Sequence, residues 1–385
     1  MLLASQKHLF SLPEGLHYLN NAYKAPLLKS AEEAAVHALI KARNPAKIQS
    51  EEFFTTVKQV KKIYGKLINC HHSDLTIIPS TSYGMSTVFN NLKGSPGKKA
   101  VTVAEEFPSA YLTMERWCEE QQVEMVVVDP APEVSGRALN EALLEAIDEQ
   151  TAVVAISSVH WMNGIKFDLV AIGRKCKAVG ATFIVDGTQS VGALSIDVQS
   201  CQIDALIVAA YKWLMGPYSI GLAYYSKKFH HGVPLEESWM NRKNASDFTS
   251  LTEYEPKYQK GAARFNMGES SNFIYMSMLH ASLKQIKLWQ PKRIQEYALH
   301  LTKPLFAYLS YLGIEREEDP YFTPHLFGLR LPSHISQENL KRTLKERHIS
   351  VSVRGSALRV SVNVFNTAMD IEALISAIWD TDKMK

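Results

Sequence analysis

No stretch of this 385-residue chain approaches the ~18 consecutive apolar residues of a membrane span. The N-terminal MLLASQKHLF meets Lys7 and His8 before an apolar run of signal-peptide length has formed. Cysteine is scarce: Cys70, Cys118, Cys176 and Cys201 lie far apart and none belongs to a C-x-x-C pair, which argues against both a zinc cluster and a disulfide scaffold. The expectation is a reduced, cytoplasmic protein with no membrane partner. Charge of one sign is lacking too. Lys and Arg number 42 against 39 Asp and Glu with no long run of either, so the concentrated basic patch of a nucleic-acid binder is not expected. GSPGKK (94–99) lacks Walker spacing and no G-x-G-x-x-G follows a first strand, which argues against nucleotide binding. There is no internal repeat and no low-complexity segment.

What is present is an apolar fraction of 46%, ample for a large core, in an alternating pattern. LTIIP (75–79), KAVTV (99–103), VEMVVV (123–128), AVVAIS (152–157), ATFIVD (181–186), DALIVAA (204–210) and GLAYY (221–225) are short runs, mostly without polar alternation. Strands buried on both faces look like this. Amphipathic segments lie between them, the last, LVAIGRKCKAVG, ending at Gly180 as a C-cap. Alternation of this kind predicts an α/β fold with a mostly parallel sheet sandwiched by helices. Upstream, Ser30-Ala-Glu-Glu33 is expected to open one helix as a capping box and Ser50 a second. The polar, aromatic stretch 230–263 is too long for an ordinary connection and is expected to shape a site or an interface. A long helical stretch, 274–312, leads to a tail that reads as a small α+β domain.

Open α/β sheets bind ligands beyond the carboxyl ends of their strands. Asp186 ends one apolar strand, followed by Gly187 and Gln189; Lys212 directly follows another, in VAAYKWLMGPYSIG. Taken alone, Asp186 reads as a turn residue and Lys212 as a solvated loop lysine. Together they are the two groups that pyridoxal phosphate requires, a carboxylate to keep the pyridine nitrogen protonated and an amine, its pKa depressed by apolar surroundings, to form an imine. Thr81 and Ser82, in IPSTSYGMSTVF, stand at a predicted helix start, where hydroxyls and free N–H groups suit an anion.

With these segments the chain resembles the class V aminotransferase-like family of fold type I pyridoxal-phosphate enzymes, the group of cysteine desulfurases, selenocysteine lyases, isopenicillin N epimerase and kynureninase. The resemblance runs from HYLNNAYKAPL (17–27) to LRVSVNVFNTAMDI (358–371) and is most specific in VDGTQSVGALSIDV and YKWLMGPYSIG. It implies pyridoxal 5'-phosphate as cofactor, a Schiff base on Lys212, Asp186 on the ring nitrogen and Gln189 on the phenolic oxygen. It further implies phosphate contacts from Thr81, Ser82 and Tyr211, the last standing where many relatives have His, with Ala209 replacing a desulfurase Ser. Phe107 takes the place of the ring stacked on the cofactor, and in desulfurase-like relatives that ring is a His. SSVHWMNGIKFDL (157–169) corresponds to a loop on the substrate face, with His160, Trp161 and Asn163 as candidates. Arg359 corresponds to the arginine that grips the substrate carboxylate, with Arg354 as a second cation. Asn20 and Asn21 belong to a loop folding over the site, and Glu269 takes the place of a Thr that reaches a partner subunit. The implied organisation is an N-terminal active-site arm (1–30), a large cofactor-binding α/β domain (31–265), and a connecting helix with a small C-terminal α+β domain (266–385). A homodimer acting on a small amino acid is the implied assembly.

Desulfurases of this group carry a nucleophilic cysteine shortly before the carboxylate-binding arginine. Residues 350–358 read SVSVRGSAL, so the usual persulfide route is rejected. What remains is chemistry at Cα: transamination first, with epimerisation or side-chain elimination as alternatives. A cofactor-binding scaffold without turnover is disfavoured because Lys212, Asp186 and Arg359 are all present.

Overall fold

A computed structural model describes residues 2–129, 135–354 and 357–383, with the side chain of Arg354 outside the described part. The first elements are a two-residue strand β1 (His17–Tyr18) and helices α1 (Lys29–Ala42) and α2 (Glu52–Ile68). Next come β2 (Leu75–Ile78), α3 (Thr81–Phe89), β3 (Lys99–Val103), α4 (Pro108–Gln121), β4 (Glu124–Val128) and α5 (Gly136–Ala146). They are followed by β5 (Thr151–Ser157), α6 (Leu169–Val179), β6 (Thr182–Asp186), β7 (Ala205–Ala209) and β8 (Gly221–Tyr225). Every strand expected between 75 and 225 forms, and all seven join one sheet in the order β2-β8-β7-β6-β5-β3-β4. Neighbours pair in parallel except around β8, which runs antiparallel to both β2 and β7.

The absence of polar alternation has its predicted cause. Phe183, Val185, Leu206 and Val208 enter one apolar cluster, while Ile184, Ala205 and Ile207 enter a second on the other face. Successive side chains of a strand point to opposite faces, so two buried faces require apolar residues at every position. Only the outer strand β4 exposes part of its length.

The chain continues through α7 (Phe273–Trp289), α8 (Pro291–Tyr311), β9 (Leu326–Leu329), α9 (Gln337–Glu346), β10 (Ile349–Ser350), β11 (Ser352–Arg354), β12 (Ala357–Ser361) and α10 (Ala368–Lys383). Strands β11, β12 and β9 form a small antiparallel sheet. The N-terminal segment is tied to this part of the molecule. Strand β1 pairs in parallel with β10, the Gln6 N–H donates to the Val364 carbonyl, and Phe10 packs edge-on against Phe365.

Several local expectations differ from what forms. Helix α1 starts at Lys29, with Ser30 inside its first turn, because the Leu28 carbonyl already accepts from Ala31 and Glu32. Helix α2 starts after Ser50, and its first turn is closed by the Glu52 carboxylate accepting from the Gln49 N–H. The stretch 274–312 is two helices, broken where Gln290 adopts φ +67° and Pro291 opens α8. Gly180 does cap α6, at φ +76°. The 230–263 segment holds short 3-10 turns, with Trp239 packed on Phe53 and Phe248.

Candidate active site

The carboxyl ends of β2, β3, β5, β6 and β7 open on the same edge of the sheet, and each releases one of the expected groups. Asp186 is the last residue of β6 and is 5% exposed. Its Oδ1 accepts from the Thr188 N–H at 2.8 Å. Burial pushes its carboxyl up to about 6; Thr188 hydrogen bonds oppose the rise, Glu106 adds to it and Lys212 draws it back. Lys212 lies three residues beyond β7, in the turn that reverses the chain into β8, and is also buried. Its Nζ stands 5.5 Å from the Phe107 ring centroid and 5.7 Å from that of Tyr211. The turn is held against the sequence after Asp186 at Gly192, whose φ is +109° and whose missing Cβ would lie 2.3 Å from the Trp213 carbonyl oxygen.

Gln189 is buried and committed on both sides of its amide. Its Oε1 accepts from the Trp213 indole at 2.9 Å and its Nε2 donates to the Ala22 carbonyl at 3.2 Å. A second amide proton remains for a ligand. At the end of β2 the helix cap is Ser80, not the Thr81-Ser82 pair: Ser80 Oγ takes the Tyr83 N–H at 3.2 Å and bonds the Ser82 hydroxyl at 2.9 Å. The Gly84 N–H goes to the Ser80 carbonyl. Among the described residues nothing accepts from the backbone N–H groups of Thr81 and Ser82, which leaves the first turn of α3 with open donors. Tyr211, half-buried, packs against Tyr218 at 4.8 Å.

Phe107 ends the loop after β3 and precedes Pro108 at the start of α4. Trp161, four residues past β5, meets the Phe107 ring edge-on at 5.6 Å and fixes its own indole by donating to the Glu105 carbonyl at 2.7 Å. Arg359, on β12 and 2% exposed, donates to the Trp161 carbonyl at 2.9 Å, so the small sheet brings it to the same place. The loop is docked by Gly164, at φ +79°, where a Cβ would strike the Leu326 carbonyl oxygen at 2.2 Å. Asn163 serves that docking, accepting from the Gly328 N–H with its carbonyl and from the Ile165 N–H with its side-chain oxygen. His160 is buried, with Nε2 3.3 Å from the Ala104 carbonyl and Nδ1 without a partner among the described residues. Asn20 accepts from the Ser352 hydroxyl, while Asn21 accepts from Asn363 and leaves its Nδ2 buried and unpartnered. Ser361, on the same face of β12 as Arg359, takes the Ala22 N–H at 2.8 Å. Glu269 is exposed at φ +56°. Arg354 cannot join the description, since its side chain lies outside the described residues.

Three residues of the site were not foreseen. Glu106 is buried beside Asp186, Trp213 orients Gln189, and His325 lies beneath both. His325 sits 2.8 Å from the Gln189 carbonyl through Nε2, and burial holds it down at about 4, so the ring is neutral and its Nε2–H donates. None carries a sequence signal. Glu106 follows another glutamate in AEEFP, Trp213 reads as core, and His325 precedes β9 by one residue.

A model of the aminotransferase class-V family matches residues 25–374. The chain belongs to that family. An uncharacterized protein of Schizosaccharomyces pombe is 25% identical over 369 residues, covering 94% of this chain and 82% of its own. A probable cysteine desulfurase of Methanothermobacter thermautotrophicus is 24% identical over 337 residues, covering 82% of this chain and 80% of its own. Among solved structures, C-DES with glycine covalently linked to its pyridoxal-phosphate cofactor superposes with a TM-score of 0.86 at 16% identity, covering 97% of this chain and 99% of its own. The fold is therefore fold type I, and pyridoxal phosphate is the cofactor of the class-V family.

The residues present fit that group. A buried carboxylate at the end of β6 suits a cationic ring nitrogen, and the open N–H groups of α3 suit a phosphate dianion. The orphaned Asn21 Nδ2 and His160 Nδ1 are buried polar atoms of the kind a ligand completes. Among the described residues no helix is long and apolar enough to cross a membrane.

Proposed function

We propose that this class-V enzyme acts at Cα of a small amino acid, with Lys212 as the attachment point of the cofactor and the base that moves the α-proton. The observation that carries the reading is the meeting of buried Lys212 and Asp186 at the ends of neighbouring strands, with the Phe107 ring 5.5 Å from Nζ. Bound pyridoxal phosphate supplies an electron sink for a bond broken at Cα. Asp186, as an anion, holds the proton on the ring nitrogen. Thr81, Ser82 and Tyr211 hold the phosphate, and the remaining Gln189 amide proton meets the phenolic oxygen. Phe107 and Trp161 wall the site from water. Arg359 binds the substrate carboxylate through its fork, which fixes the Cα–H bond relative to the Lys212 amine.

Cleavage of a bond to the amino-acid side chain is the reading the similar proteins favour, since a probable cysteine desulfurase and the cystine C-S lyase C-DES are among them, and the lyase points to elimination. A persulfide on the enzyme plays no part in it. Residues 350–358 hold no cysteine, and burial pushes the thiols up to about 12 for Cys70 and Cys176 and about 11 for Cys118 and Cys201. Transamination is the second reading, favoured by the family's own description. The two separate on products from a panel of amino acids. Ammonia and a keto acid released without a keto-acid acceptor mean elimination; a keto acid formed in proportion to an added acceptor means transamination. Neither product, with no inverted amino acid and no alanine formed from any amino acid while cofactor is bound, would refute turnover. The same reading includes a homodimer, supported by the exposed Val233 and Tyr254 of the 230–263 segment, at 61% and 87%. Sedimentation at twice the chain mass is the result expected.

A further inference from the structure

The catalytic reading uses one buried carboxylate, Asp186, and a second, Glu106, is buried close to it. In the sheet β5 lies between β3 and β6. Its last residue, Ser157, pairs in register with Asp186 on one side. On the other, Glu106, just past β3, reaches over it. Glu106 Oε2 accepts from the Ser157 N–H at 2.6 Å, and Oε1 accepts from the Phe107 N–H at 2.7 Å and from the Ser157 hydroxyl. Glu106 is 5% exposed. Three donors on two oxygens form the pattern of a carboxylate anion, and such satisfaction is what a buried charge needs. Two consequences follow from the same bonds. The backbone of Phe107 is clamped, so its ring stays over Lys212. A second negative group also flanks the strand end that carries Asp186, which gives this part of the site more anionic character than Asp186 alone provides.

We infer that Glu106 is a positioning residue for the cofactor, clamping Phe107 over Lys212 and adding its charge to that of Asp186 at the position of the cationic ring nitrogen. This rests on the assignment of Asp186 and Lys212 above, and the test separates the two. Cofactor-free protein is titrated with pyridoxal phosphate and with 1-deazapyridoxal phosphate, which has carbon in place of the ring nitrogen, and the two dissociation constants are read from the visible spectrum. The wild-type protein prefers the natural cofactor. Glu106→Gln loses about tenfold of that preference, the effect of one unit charge at short range in a partly screened site, whatever happens to the two affinities together through Phe107. Ser157→Ala, which keeps the Glu106 charge, retains the preference. A Glu106→Gln protein with the wild-type preference overturns the inference, because loss of packing alone weakens both ligands equally. If Glu106→Gln does not fold, Glu106→Asp replaces it: the retained charge keeps the preference within about threefold, and its collapse overturns the inference. A wild-type protein that binds neither compound, or binds both alike, refutes instead the assignment of Asp186.

Discussion

Asp186→Asn in the cofactor-free protein tests whether the site is built at the expense of stability. Burial raises the Asp186 carboxyl from its ordinary 3.8 to about 6. A carboxyl raised on folding binds its proton more tightly in the folded chain, so its penalty is absent at low pH and grows as pH climbs from the unfolded value through the folded one. At about 1.4 kcal/mol per pH unit, the ionised group costs the folded state about 3 kcal/mol above pH 7 and about half of that at pH 5. Asparagine still accepts from the Thr188 N–H and carries no charge. The variant is therefore expected to be more stable than the parent by about 3 kcal/mol at pH 8, or about 4 °C in Tm for a chain of this length. The difference narrows toward pH 5, while cofactor affinity falls. Thermal melts of both cofactor-free proteins from pH 5 to 8.5 measure this. A variant no more stable than the parent at pH 8, or a difference that does not change with pH, refutes the argument from burial.

Other expectations can be checked with the holoenzyme. Arg359→Lys keeps the charge and loses the fork, so KM for the amino acid should rise roughly tenfold to a hundredfold while the cofactor spectrum stays as in the parent; an unchanged KM would remove Arg359 from the substrate. Ser80→Ala deletes the α3 cap and should cost about 1 kcal/mol, with weaker retention of cofactor on dialysis, whereas retention equal to the parent's would separate the cap from phosphate binding. Alkylation of the native enzyme with iodoacetamide should leave turnover intact, since all four thiols are raised by burial. Stoichiometric loss of activity with one modified cysteine would reinstate a thiol mechanism.

The sheet was legible because strands covered on both faces show as uninterrupted apolar runs, and all seven such runs became strands of one sheet. The placement of Asp186 and Lys212 was legible for a related reason: a charged residue closing an apolar strand stands out. What stayed hidden depends on contacts between distant segments. Ser80 rather than Thr81 caps α3 because its backbone is extended where β2 ends. The Leu28 carbonyl closes the first turn of α1 before Ser30 can, and the break at Gln290 is one residue wide in an otherwise periodic stretch. Glu106 and His325 act through partners 51 and 136 residues away, a separation at which neither spacing nor residue type carries a signal.

The most direct test of the account is to reduce the purified protein with borohydride and locate the modified peptide by mass. The account predicts a visible absorption band that disappears on reduction, with the reduced cofactor's mass on Lys212 and no label in Lys212→Ala. A protein that is colourless and cannot be reconstituted with pyridoxal phosphate, or a label on a different lysine, would contradict it.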